Sequence, residues 1–504
     1  VSKVFKGFLI FLLLVVAILL AAGFFASGTV EKKVTEALSK NFLVSIGDTK
    51  INFWNTTATF SNVSLQSKNR EKDSLSINAK DVHVNFQSLL NVIKADTIKI
   101  SKIDVAFPTL AIYKAEKDST KSKKIKEKDS LPKSFLLKNL EVNNGNVSVY
   151  SSTDTLQTSS KNFQILLADI AVNNKTVTQN IPFEYSLKQI RFSEFYQNAG
   201  KRKELTAKNL VISDSIIEVS GLHLKPRFSK KEYINHIDYQ DDWMDLTVSN
   251  IKIHHYDVNF FEERKSIKIP KIEIDSTYLN LYRDKSVKRD FSYKPMYSKM
   301  LRDLDFDLVV DSLEITNTKL DYEERLPGRV PGIIDFADMH ILITDINNVD
   351  TSKKTNITID CQFLKEAPLH VDWMFDIHSK KDYFEIKGNL GSVDVKQLNN
   401  FMDPMMNIQV SGRVDAVMFN FYGTDASAKG EFTMKYHDLK VELLKKGDRK
   451  KKRKFLSAIA NIFVHKVRED LDAKQIEVER TKYKSFFNYF WLCVQDGIKK
   501  TVVF

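Results

Sequence analysis

Apolar residues recur along the chain at one set of offsets, and the set returns in at least six places. Ile98, Ile100, Ile103, Val105, Leu110 and Ile112 define it. Phe135, Leu137, Leu140, Val142, Val147 and Val149 repeat it, as do Leu205, Ala207, Leu210, Ile212, Ile217 and Val219. Further copies are Leu246, Val248, Ile251, Ile253, Val258 and Phe260, and Ile267, Ile269, Ile272, Ile274, Leu279 and Leu281. Leu308, Val310, Leu313, Ile315, Leu320 and Tyr322 complete the set. Polar residues fill most intervening places. Period-two alternation marks a strand with one dry face, and a helical period would not keep this register. The pattern predicts a mainly β protein: a long curved antiparallel sheet of repeated units that forms an apolar groove.

The step of three inside each copy reverses side-chain parity, so a bulge or tight break is expected there. Asn143-Asn144-Gly145-Asn146 reads as a type I′ hairpin turn, since Asn-Gly supplies positive φ. Half-copies occur at Ala58 to Leu65, Ile77 to Val84, Tyr185 to Phe192 and Met434 to Val441. Short helices are expected over 29–43, Ser229 to Asp245 and Pro295 to Asp305, and a flexible Lys- and Ser-rich excursion over Lys114 to Lys133. The strand signal weakens after Phe432. A basic run, 445–454, then precedes an apolar helical stripe in Phe455 to Val467 and an aromatic segment from Phe486 to Val494. Those last elements read as capping helices after a solvated loop, or as a membrane-surface element.

Phe8 to Phe25 is an uncharged apolar run, long enough to cross a bilayer as a helix and longer than a signal-peptide core. The expected organisation is an N-terminal transmembrane anchor (1–28), a repeating β-groove body (29–440) and a basic, then helical, C-terminal part (441–504). The anchor is expected to be N-in, with the body outside the cytoplasm.

The net charge of +12 is spread over strands as alternating Lys, including Lys99, Lys252 and Lys268, which suits solvated faces that resist edge pairing. No aromatic strand motif of an RNA-binding sheet accompanies the basic run, so nucleic acid is not expected as a partner. Cys361 and Cys493, far apart, build neither a disulfide framework nor a Cys-based metal site. Phosphate-loop, nucleophile-elbow and H-E-x-x-H motifs are missing. His254 and His255 are neighbours that a strand would send to opposite faces, so a hairpin turn is their expected home. Asp241-Asp242 reads as a solvated helix end and Glu323-Glu324-Arg325 as surface charge. No catalytic residues, metal or cofactor are expected, and the chain does not read as an enzyme.

One apolar face along such an array must be hidden. A second layer would give a filled core. A trough would instead hold acyl chains, lined by Ile98, Ile100, Ile103, Val105, Leu137, Leu140, Val142, Val147, Leu210 and Ile212. Val248, Ile251, Ile253, Val258, Phe260, Ile272, Ile274, Val310, Leu313, Ile315 and Leu320 complete that candidate lining. Burial gains about 25 cal/mol per Å² in either case.

The anchor followed by units such as LKNLEVNNGNVSVY (137–150) and LVVDSLEITNTKLDY (308–322) resembles the AsmA-like family, related to TamB. The stretch from Ser411-Gly412-Arg413 through Gly430, Tyr436 and Asp438-Leu439-Lys440-Val441 to Ser485-Phe486-Phe487-Asn488-Tyr489 is similar to the C-terminal region of Bacteroidota members. The resemblance implies a single-pass inner-membrane protein of Gram-negative bacteria with its body in the periplasm. It implies a β-groove that carries phospholipid toward the outer membrane and supports outer-membrane biogenesis, with envelope proteins as possible partners. The competing expectation is an assembly factor for outer-membrane proteins that carries no lipid.

Overall fold

A computed structural model describes residues 42–68, 73–88, 96–115, 134–176, 183–259, 264–445, 448–452, 467–468 and 472–502. The predicted anchor, Phe260, most of the Lys-rich excursion and residues 455–466 lie outside the described residues. No helix among the described residues is long and apolar enough to cross a membrane. The fold is mainly β, and its contacts divide it into two compact units at Gly221/Leu222.

The first unit holds β1 (Phe42–Ser45), β2 (Asp48–Asn52), β3 (Thr57–Ser67), β4 (Ser74–Phe86), β5 (Thr97–Ala106) and β6 (Thr109–Tyr113). It continues with β7 (Ser134–Tyr150), β8 (Leu156–Val172), β9 (Glu184–Asn198) and β10 (Lys203–Ile212). Phe42 and Leu43 are thus strand residues, where the helical spacing of 29–43 had suggested otherwise. β1 and β2 both pair with β3, which pairs with β4. β5 and β6 lie end to end between β4 and β7, and β8, β9 and β10 follow antiparallel. β11 (Ile216–Pro226) crosses the division.

The second unit holds β12 (Trp243–His254), β13 (Asp257–Asn259), β14 (Ser266–Asp284), β15 (Asp307–Arg325), β16 (Gly332–Asn347), β17 (Thr355–Phe363), β18 (Ala367–Phe375) and β19 (Phe384–Leu390). Beyond them lie β20 (Val393–Asp394), β21 (Ile408–Gly423), β22 (Ser427–Lys445), β23 (Asp448–Lys452), β24 (Val467–Arg468) and β25 (Lys474–Glu479). β12 and β13 lie end to end on β14, so His255 sits at a break between two segments of one edge rather than in a hairpin. β22 runs without interruption past Phe432, where the strand signal had weakened. Four α-helices stand among the described residues of the unit: α1 (Lys230–Tyr233), α2 (Tyr297–Arg302), α3 (Asn399–Met406) and α4 (Phe486–Val502). α1 is a single turn closed by a Ser229/Glu232 capping box, shorter than the sequence suggested, and Trp243 to Asp245 belong to β12.

Most pairings are antiparallel, including that of the copies on β12 and β14, but two pairs of consecutive copies meet in parallel and in register. Ile98 lies beside Phe135, Ile103 beside Leu140 and Ile112 beside Val149. Ile267 lies beside Leu308, Ile272 beside Leu313 and Leu281 beside Tyr322. The parallel junctions correct the all-antiparallel expectation, and they explain the repeat: equal spacing lets neighbouring copies present matching apolar rows.

Parity is repaired twice in every copy but the third, where β10 ends at Ile212 and β11 begins at Ile216. The ladder skips Ser101, Lys138, Pro270 and Asp311 at the step of three. Within the later step of five, one residue enters the left-handed region: Phe107, Asn144, His255, Ser276 or Asn317, all with φ of 50–56°. Residues 143–146 are accordingly a bulge inside the continuous strand β7, not a hairpin. Gly145 is required there because a Cβ would stand 2.4 Å from the Phe163 ring.

Each unit has its own packed core. In the first, the stripes of β3 to β8 are fully buried together with Phe183. In the second, the core gathers β17 to β22 and β25 under α4. Phe486 of α4 stacks on Trp373 at 4.5 Å and meets Phe384 edge-on, and Tyr489 and Cys493 are buried beside them. The aromatic C-terminal segment is therefore a lid over the last strands.

Candidate functional site

In each unit one part of the repeat is covered by a packed core and another is less covered. In the first unit the packed core stops at β8. On β9, Tyr185, Leu187, Ile190 and Phe192 are half-buried and pack against the edge of that core, and on β10 Leu205, Leu210 and Ile212 are half-buried. In the second unit the packed core begins beyond β15, and the apolar sides of β12, β14 and β15, apart from the buried Val248 and Val310, are half-buried.

The second unit shows this face in most detail. Rows of apolar side chains cross β12, β14, β15 and β16 at matched positions. One row is Leu246, Leu279, Leu320 and Phe336. The next is Ile251, Ile274, Ile315 and Ile341, followed by Ile253, Ile272, Leu313 and Ile343. All twelve are half-buried. Four strands at about 4.8 Å spacing make a face ~15–20 Å across. That is close to the roughly 15 Å half-thickness of a bilayer's hydrocarbon core.

The face ends in charge. Met244, Leu281 and Tyr322 form its last apolar row, and alternation places Arg283 and Glu324 one step further on the same side. Arg283 donates from two nitrogens to the two carboxylate oxygens of Asp242, at 2.7 and 2.6 Å. Glu324 accepts from the Tyr322 hydroxyl at 2.8 Å and pairs with Lys285. Burial, reinforced by the Glu324 charge, drives the Tyr322 phenol far above its usual range, so it remains a donor. On the opposite side of these strands Lys230 pairs with Glu323 at 2.7 Å and Arg325 with Asp284 at 3.3 Å. Asp242 and Glu323-Glu324-Arg325 are therefore paired, largely covered groups, not the solvated charges the sequence suggested, because segment 228–242 folds over the strand ends.

The candidate lining residues divide between these settings. Ile98, Ile100, Ile103, Val105, Leu137, Leu140, Val142 and Val147 lie in the packed core of the first unit, covered by protein, which takes them out of any open face. Leu210 and Ile212 are half-buried on β10. Ile251, Ile253, Ile272, Ile274, Leu313, Ile315 and Leu320 belong to the half-buried rows, whereas Val248 and Val310 are buried, at 6% and 5% exposure. Val258 on β13 is 37% exposed. β16, whose Phe336, Ile341 and Ile343 complete the rows, was missed because its spacing does not follow the repeat. The polar row was missed too, although it is the next alternating step after Leu281 and Tyr322.

Among the described residues no group of three or more His, Cys, Asp and Glu could hold a metal ion. Cys361 and Cys493 are buried, which pushes their thiols up to about 11 and about 12. No protein-family model and no curated protein matches the chain.

Proposed function

We propose that this protein is an envelope lipid carrier of the AsmA-like kind, anchored by Phe8 to Phe25 in the inner membrane, with a periplasmic body that holds phospholipid acyl chains and supports outer-membrane biogenesis. The observation that carries the reading is the contrast within one repeat. The same spacing is sealed in the packed cores but left half-buried on β9, β10, β12, β14 and β15. An apolar face of the size found in the second unit is unfavourable in water and calls for an apolar ligand. It offers few convergent polar groups along its length, which suits chains that slide rather than a small molecule held in one pose. The ionic row of Asp242, Arg283 and Glu324 would stop chains at one end.

The test places a photo-crosslinking amino acid at Ile251, Ile272 or Leu313 and, as a buried reference, at Leu140, in living cells. Lipid adducts are expected at the first three and not at Leu140. Protein adducts alone at all positions would replace this reading with that of an assembly factor.

A further inference from the structure

The hairpin joining β2 to β3 turns through four residues, Phe53 to Thr56, and two of them are large, exposed aromatics. Trp54 is 97% exposed and Phe53 is 73% exposed. The turn itself is tightly built. The Asn52 side chain accepts from the Trp54 and Asn55 backbone N–H groups at 3.0 and 3.2 Å. Thr56 takes a left-handed φ of 51°, and its hydroxyl donates to the Phe86 carbonyl at 2.8 Å. The backbone is held while the two rings project. Lys50 shares a shallow hollow with Phe53 and Trp54. An exposed aromatic pair gains nothing for folding, so its use lies outside the chain. Trp beside a cation is the combination that settles at the boundary between headgroups and acyl chains.

We propose that the Phe53–Trp54 tip inserts into the surface of the bilayer that the segment Phe8 to Phe25 occupies, giving the body a second point of contact with that membrane. The choice of a membrane over a protein partner rests on chain connectivity. Phe42 follows Phe25 by 17 residue steps, which span at most about 60 Å however the chain runs. The tip lies at the far end of the next two short strands, so that bilayer is within its reach. The contact would fix the tilt of the first unit on the membrane, which one point of attachment alone would not. The inference rests on the anchor part of the proposed function but not on the groove.

The experiment uses the full chain in nanodiscs of phosphatidylethanolamine and phosphatidylglycerol. An environment-sensitive fluorophore is attached at Asn55→Cys or, as a reference in the exposed β7–β8 turn, at Ser152→Cys. Both native cysteines are buried, so labelling goes to the introduced one. Iodide is expected to quench position 55 at least fivefold less than position 152, with a blue-shifted emission. The Phe53→Ser/Trp54→Ser variant is expected to bring the two positions to equal quenching. Equal quenching in the unsubstituted tip overturns the proposal and leaves the anchor standing. Failure of the chain to enter the discs sinks the anchor and the tip contact together.

Discussion

Ile272 and Leu313 stand side by side on parallel strands at the same position of two successive repeat copies, and both are half-buried. Ile103 and Leu140 stand in the same relation in the first unit and are fully covered. One sequence pattern thus yields two environments, and mutation should separate them. Leu140→Ala removes a side chain from a packed core and should cost about 2–5 kcal/mol. Leu313→Ala should cost roughly 1–2 kcal/mol, because part of that surface already faces out. Denaturant midpoints of the two variants check this. Equal losses would mean that the second face is as filled as the first.

The fork between Arg283 and Asp242 makes a separate prediction. Both nitrogens of the pair are engaged at short distance, but each side chain keeps about a third of its exposure. A bidentate, charge-assisted contact in that setting is worth about 1 kcal/mol. A double-mutant cycle of Arg283→Ala and Asp242→Ala should return a coupling of that order. Zero coupling would make the polar row a solvated surface feature with no role in closing the face.

How far the sequence reached can be judged from these same residues. Period-two spacing located the strands, and the offsets of Ile98 to Ile112 identified rows that do stack in register. Spacing reports which side of a strand a residue takes, and Leu140 and Leu313 read alike on that score. Whether something covers the side depends on contacts distant in sequence, such as Phe486 of α4 against Trp373 of β18. The Asn-Gly signal at 144–145 supplied the positive φ it promised, but Phe163 and the continued pairing of β7 with β8 turned it into a bulge. The charges of Glu323 to Arg325 looked solvated because their partners, Lys230, Asp284 and Lys285, lie 39 or more positions away.

Ser276 offers a test of the repeat's backbone device. It holds a φ of 56° in mid-strand, a conformation that costs a non-glycine residue about 1–2 kcal/mol. Ser276→Gly removes that strain but adds roughly 0.5–1 kcal/mol of chain entropy, so its stability should equal or slightly exceed the parent. Ser276→Val adds a β-branched side chain at the same φ and should lose at least about 1 kcal/mol. Thermal unfolding of the two variants decides the point. A Val variant as stable as the parent would show that the bulge is not needed to keep Ile274 and Leu279 on one face.

His370 on β18 sets a pH dependence with a definite sign. Its Nδ1 lies 2.7 Å from Asp360 on β17, and its Nε2 lies 3.3 Å from Asp372 on its own strand. The hydrogen bond to Asp360 is the main cause that raises its pKa above the usual value; burial opposes it and Asp372 adds to it. The folded pKa therefore lies above the unfolded value of about 6.5. Protonated His370 stabilises the fold fully below about pH 6.5, and the contribution is lost as pH rises through the raised folded value. His370→Asn removes the contribution at every pH. The stability difference between parent and variant should thus be larger at pH 6 than at pH 8.5, measured by denaturant titration of the second unit's tryptophan signal. A difference that grows toward high pH would mean that His370 is held neutral in the fold and that its two carboxylate neighbours do not govern it.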